Sequence, residues 1–165
     1  MKAAAPEPAS HAENQARRRT IPIAGLAEGR STYTIEVVPA FYDIDPMEIV
    51  WHGHYVKYLE LARSALLKQY DYDYPAMRAS GYAWPIVEMK LKYVRSAVFG
   101  QPLKVASRII EWENRLRIDY LITDAASGRK LTSAQTTQVA VKLATGEMCF
   151  VCPPVLWERL GVPAP

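Results

Sequence analysis

The densest group of chemically capable side chains is the run Asp43-Ile44-Asp45-Pro46-Met47-Glu48-Ile49-Val50-Trp51-His52-Gly53, which leads directly into the apolar segment His54-Tyr55-Val56-Lys57-Tyr58-Leu59. It sets carboxylates, a rigidifying proline and a histidine against an expected helix N-terminus. An anionic carboxylate beside free backbone N–H groups suits acyl transfer: one group performs or activates the attack, and the others hold the charge that develops on the carbonyl oxygen. Pro46 disfavours a helical backbone at Asp45, which helps keep that carboxylate at the helix mouth.

The elements that must position this loop follow from periodicity. Ser31 to Phe41 reads as a first strand, with Tyr33, Ile35 and Val37 alternating against Thr34 and Glu36. Tyr55 to about Tyr70 contains no Gly or Pro and is apolar around most of its circumference, with a narrow polar stripe through Lys57, Glu60, Ser64 and Lys68. Such a helix is expected to be largely enclosed by other elements. The second half of the chain supplies strands to enclose it. Val87, Met89, Leu91 and Tyr93 alternate with charged residues, Leu103, Val105 and Ile109 keep the same period, and a turn near Glu113-Asn114 leads to Leu116, Ile118, Tyr120 and Ile122. Ala126-Ser127-Gly128 turns the chain again into a last long strand from about Leu131 to Leu143, ending at Thr145-Gly146. Connections this short require antiparallel neighbours. The expected fold is α+β, a curved antiparallel sheet wrapped around one long buried helix.

At 165 residues the chain is long enough for one domain with a sizeable core and too short for two ordinary ones. Residues 1–30, rich in Ala, Pro, Glu and Arg and including Arg17-Arg18-Arg19, read as a flexible tail, leaving 31–165 as the folded domain. The tail lacks the apolar region of a secretory signal and carries Glu7 and Glu13, so a cytoplasmic protein is expected. No apolar run approaches the ~18 residues of a membrane span. Of the net charge of +3, the tail holds +2 and the body only +1, which is not the concentrated basic face of a nucleic-acid binder. Cys149 and Cys152 form a lone pair without the further ligands of a structural zinc, and Pro153-Pro154 follows where a redox motif opens a helix, so both read as ordinary thiols. His52, His54, Asp43 and Asp45 offer metal-ligand types at no recognised spacing, and no metal is expected.

The run Tyr42-Asp43-Ile44-Asp45-Pro46-Met47, then Ile49-Val50-Trp51-His52-Gly53-His54-Tyr55, Tyr58-Leu59-Glu60 and Ala62-Arg63, resembles the signature of the hotdog-fold acyl-CoA thioesterases of the 4-hydroxybenzoyl-CoA thioesterase type. Tyr93-Val94-Arg95-Ser96-Ala97 with Phe99-Gly100 and Leu103, and Thr145-Gly146 with Pro153-Pro154, resemble later segments of the same family, so the match covers about residues 32 to 160. The resemblance implies hydrolysis of an acyl thioester to a free acid and a thiol, the thiol being coenzyme A or the phosphopantetheine arm of an acyl carrier protein, with no other cofactor.

Carried over residue by residue, the resemblance makes Asp45 the catalytic carboxylate, as nucleophile or as general base. It places the oxyanion site at the amides of Trp51 and His52, gives the His52 ring a part in orienting substrate or water, and sets Arg115 against the phosphates of coenzyme A. Tyr55, with Trp51, Tyr58 and Trp84, suggests an apolar acyl pocket, although core packing explains these aromatics equally well. Asp43 is assigned a loop or cap hydrogen bond, His54 falls where relatives commonly carry an Asn that organises the loop, and Glu60 is read as an ion-pair partner of Lys57 or Arg63. Glu48 stands where relatives usually have Gly, and Phe41 where some have Tyr. Relatives pair sheets edge to edge so that two chains form each pocket, which implies a homodimer or homotetramer. The alternative is a hotdog protein that binds an acyl thioester without turning it over, as a sensor or accessory.

Overall fold

The computed structural model describes residues 32–165, so the expected tail over 1–30 lies outside the described residues. In chain order come β1 (Thr32–Val37), a 3-10 turn (Phe41–Asp43), α1 (His54–Lys68), α2 (Tyr74–Ala79), β2 (Tyr82–Ala83), β3 (Ile86–Tyr93), β4 (Leu103–Glu111), β5 (Leu116–Asp124), β6 (Lys130–Gln138), β7 (Val141–Lys142) and α3 (Pro154–Leu160). The large sheet has the order β1-β4-β5-β6-β3 and is antiparallel at every pairing. β2 and β7 form a separate two-stranded ribbon. This is the expected α+β hotdog arrangement, a five-stranded sheet against one long helix.

The inward face of the sheet follows the two-residue period of its strands. Leu103, Val105 and Ile109 of β4 and Leu116, Ile118 and Ile122 of β5 are completely buried. Onto them α1 lays Tyr55, Tyr58, Leu59, Ala62, Leu66 and Leu67, at the three- and four-residue spacing of one helical face. Each large apolar side chain removed from water in this way contributes roughly 1.5–3 kcal/mol of transfer free energy. Along the opposite side of α1, Lys57, Leu61, Ser64 and Lys68 are exposed, Leu61 at 55%. The helix is therefore largely enclosed, as expected, and the exposed stripe is the expected polar one with Leu61 added and Glu60 half-buried.

Two expected boundaries move. β1 ends at Val37 rather than at Phe41, because Pro39 has no N–H for a ladder and Phe41–Asp43 wind into the 3-10 turn. The last strand does not run unbroken to Leu143. β6 stops at Gln138, opposite Ile86 where β3 begins, and the chain then leaves the sheet so that Val141 and Lys142 pair with Ala83 and Tyr82.

What fixes the loop between β1 and α1 is the side chain of Asp43, only 4% exposed. Its carboxylate accepts hydrogen bonds from the Ala40 amide (3.1 Å), the Tyr58 hydroxyl (2.9 Å), His54 Nδ1 (2.5 Å) and Lys57 Nζ (3.3 Å). Three of these donors stand on the first turns of α1, so one buried anion ties the 3-10 turn to the start of the helix. Burial alone would raise its pKa, but the bonds from His54, Ala40, Tyr58 and Lys57 outweigh that and hold it at about 2. With the folded-state pKa below the ordinary value of 3.8, the ionised group stabilises the fold above about pH 4, and that stabilisation is lost as pH falls through about 2. Asp43→Asn should therefore cost about 2 kcal/mol in denaturant unfolding at pH 7. The gap between wild type and variant should close as the pH is lowered from 4 towards 2; a gap independent of pH would contradict this account.

Candidate active site

The loop that carries Asp45 is closed by its own backbone. The Asp45 amide donates to the Ile49 carbonyl (2.9 Å), the Glu48 amide donates to the Asp45 carbonyl (2.9 Å), and Ile44 bridges Val50. Glu48 sits at φ +63°, the left-handed region that favours glycine, so this residue holds a glycine-like backbone at a cost of roughly 1 kcal/mol. One oxygen of Asp45, Oδ1, accepts the Met47 amide at 2.8 Å. The other has no hydrogen-bond partner among the described residues and belongs to a half-buried side chain. Asp43 and Asp45, two residues apart, thus differ completely: the first is saturated and structural, the second keeps a free oxygen at the surface of a cleft.

The helix start next to it has no side-chain cap, and its His54 and Val56 amides donate to the carbonyls of Trp51 (2.9 Å) and Gly53 (3.3 Å). Gly53, the residue that caps α1, offers no side chain, so no side-chain cap covers the first-turn amides. A Cβ on Gly53 would lie 2.2 Å from the Trp51 ring, so the indole rests directly over the glycine and only a hydrogen fits there. The Trp51 amide itself donates to the Asp43 carbonyl at 2.9 Å and is committed. The expected oxyanion donor at Trp51 is therefore corrected: that N–H serves the loop, whereas the His52 amide carries no hydrogen bond among the described residues. The His52 carbonyl is fixed from the far side by the Tyr93 hydroxyl at 2.8 Å. The His52 ring is exposed beside Trp51, with ring centroids 4.9 Å apart.

Asp45, Met47, Val50, His52, Tyr55, Tyr93 and Arg95 line a cleft of about 380 Å³. Tyr55 forms its buried wall: the hydroxyl accepts the Ala97 amide at 3.1 Å, the ring meets Tyr93 edge-on at 5.2 Å, and burial raises its pKa. Its polar end is thus spent on the loop after β3, and it offers substrate the ring alone. Three of the sequence-derived residues, Asp45, His52 and Tyr55, are brought together here. Arg115 is not. It stands in the β4–β5 turn with Nε on Glu111 Oε1 (2.9 Å), beside Leu116, which pairs with Gln138 opposite Ile86. The cleft lies at the other end of β3, about 25 Å away along an eight-residue strand. The sequence by itself places neither Tyr93 nor Arg95 in the site; both belong to the Tyr93-Val94-Arg95-Ser96-Ala97 segment.

A larger cavity of about 620 Å³ lies elsewhere, at the Ile86 end of β3, between α1, α2 and the β2–β7 ribbon; Leu67, Tyr74, Met77, Trp84 and Val141 give it an apolar wall. Glu60 pairs there with Arg63, as expected, and not with Lys57. Arg63 Nη1 and Gln138 Oε1 in the same wall are buried without partners among the described residues. Cys152 is a buried thiol whose pKa is pushed up to about 12, chiefly by burial, which suits an inert core residue.

A protein of Synechocystis sp. that carries a provisional esterase name, sll0410, is 29% identical over 119 residues, 68% of each chain. YneP of Bacillus subtilis, provisionally named an acyl-CoA thioesterase, is 27% identical over 77 residues, 47% of this chain and 56% of that one. Among solved structures, the 1,4-dihydroxy-2-naphthoyl-CoA thioesterase Slr0204 from Synechocystis superposes with a TM-score of 0.68 at 22% identity, over 78% of this chain and 95% of that one, and so shares the fold. The family model of the thioesterase-like superfamily matches residues 39–160, from the entrance of the Asp45 loop to the last residue of α3, and the chain belongs to that superfamily.

Proposed function

We propose that the chain hydrolyses an acyl thioester at the Asp45 cleft, releasing a free acid and a thiol. The observation that carries this reading is the meeting, in one cleft, of a carboxylate with an uncommitted oxygen and an uncommitted backbone amide at the uncapped start of a helix. In the nucleophilic route the Asp45 carboxylate attacks the thioester carbonyl carbon and the thiolate departs. The mixed anhydride that results is opened by water, which restores the carboxylate and frees the acid. In the general-base route Asp45 takes a proton from the attacking water instead. Both routes develop negative charge on the carbonyl oxygen, and the His52 amide and the positive end of α1 are the donors at hand. The names of YneP and Slr0204 favour a coenzyme A thioester, and the phosphopantetheine arm of a carrier protein has the same reactive end.

The same reading gives the larger cavity a part. β3 is an edge strand, and its outer side has no partner among the described residues. Pairing of two copies through this edge, antiparallel about a two-fold axis, sets the Ile86 end of one strand beside the Tyr93 end of the other. The apolar cavity of one chain then adjoins the catalytic cleft of the other, and offers room for the acyl group beyond the carbonyl. Arg115 enters the site region only through such a pairing, since within one chain it stands at the wrong end of the sheet.

Two outcomes check this. Asp45→Asn should lower kcat on a thioester panel at least ~100-fold. The melting temperature should hold, because the Asn oxygen still accepts the Met47 amide; undiminished turnover would rule Asp45 out. Light scattering at micromolar concentration should find a dimer or a larger even assembly, with specific activity falling on dilution below the dissociation constant of the dimer. A fully active monomer would remove the composite site.

A further inference from the structure

The end of β3 and the segment after it are tied to both the sheet and the Asp45 loop. The Val94 and Arg95 amides donate to the Leu131 carbonyl at 2.8 and 3.0 Å, and Arg95 Nη1 donates to the Lys130 carbonyl at 3.0 Å. Arg95 thereby separates the Asp45 cleft from a second cleft of about 550 Å³, which Arg129 and Lys130 also line. Further on, the Ala97 carbonyl accepts the Val50 amide at 2.9 Å and Val98 bridges Ile49. Tyr93 therefore stands on a firm support. Its ring lies edge-on to the buried Tyr55, and its hydroxyl donates to the His52 carbonyl at 2.8 Å. Burial, and next the neighbouring Tyr55, raise the pKa of Tyr93 above the ordinary value of 10, so the hydroxyl keeps its proton and donates.

His52 and Gly53 are the two central residues of a turn that the His54 amide closes onto the Trp51 carbonyl at 2.9 Å. The peptide between two such residues is the part of a turn that can reverse while the closing bond survives, and glycine in the second central position accepts both orientations. Gly53 here holds the right-handed one, at φ −69° and ψ −25°. Its N–H has no hydrogen-bond partner among the described residues, so the one bond they supply to this peptide is that from Tyr93. We propose that Tyr93 is a positioning residue for the reaction: by holding the His52 carbonyl it keeps the His52–Gly53 peptide from turning over, so that the oxyanion site presents amide hydrogens to the developing charge. A reversed peptide would exchange the His52 carbonyl with the Gly53 N–H and turn round a dipole of about 3.5 D beside the reacting carbonyl. The inference rests on the thioesterase reading above and adds to it the side chain that holds the oxyanion donors in place.

The test is Tyr93→Phe, which removes the hydroxyl and keeps the ring against Tyr55. On an acyl thioester that the wild type hydrolyses, kcat should fall roughly tenfold and KM stay within about twofold, because the charge to be held exists only in the transition state. Two stable analogues of the same thioester separate positioning from general support of the fold. A trifluoromethyl ketone, whose adduct carries an oxyanion, should bind the variant roughly tenfold more weakly, whereas a thioether without the carbonyl should bind both proteins equally. The 15N resonance of Gly53 reads the bond itself, since an amide nitrogen responds to a hydrogen bond on the preceding carbonyl; it should move upfield and broaden in the variant. An unchanged kcat, a loss confined to KM, an equal weakening of ketone and thioether, or an unmoved Gly53 resonance would each overturn the proposal. If the wild type hydrolyses no thioester, yet binds the ketone more tightly than the variant does, the thioesterase reading fails and the positioning role of Tyr93 stands.

Discussion

A carboxylate buried to the degree of Asp43 must be surrounded by donors, because an unpaired charge away from water is among the most costly features a fold can carry. Here the donors come from both sides of the loop that carries Asp45: the Ala40 amide before it, and His54, Lys57 and Tyr58 on the helix after it. The Asp43 carbonyl also holds the Trp51 amide, Trp51 covers Gly53, and Gly53 opens α1. Burial, and next the neighbouring Asp43 anion, keep the Tyr58 hydroxyl protonated and donating. The placement of Asp45 is thus inherited from its neighbour two residues earlier.

The two carboxylates show how local environment divides labour between identical side chains. Asp43 has every lone pair engaged and no route to substrate. Asp45 spends one oxygen on Met47 and keeps the other free in a half-exposed position. The same division holds for the amides. The Trp51 N–H is used to build the loop, and the adjacent His52 N–H has no hydrogen-bond partner among the described residues. A site of this kind is made from groups that the fold leaves unsatisfied next to groups that it satisfies fully.

β3 organises the rest. Its Tyr93 end meets the Asp45 cleft and the cleft beyond Arg95, its Ile86 end meets the apolar cavity, and its outer edge is unpaired among the described residues. An eight-residue strand separates the two ends by about 25 Å, too far for one small ligand to bridge within a chain. The exposed Leu61 on α1 and the open edge of β3 both leave apolar or hydrogen-bonding surface uncovered among the described residues.

The sequence alone determined the elements with strong periodicity and the chemistry with close spacing. The span of α1, the inward residues of β4 and β5, the antiparallel order and the identity of the Asp45 loop all depend on neighbours within a few positions, and local pattern records those. What the tertiary structure decided depends on register between distant segments. No local pattern shows that the Trp51 amide is taken by Asp43, that Tyr93 reaches the His52 carbonyl from 41 residues away, or that Arg95 joins Arg129 and Lys130. Nor does spacing reveal that Arg115 lies at the opposite end of the sheet from Asp45, because each strand reverses direction and only the pairing of Leu116 with Gln138 fixes which end its turn occupies. The break after Gln138 has the same origin: a run that reads as one strand continues only where a partner strand exists to receive its hydrogen bonds.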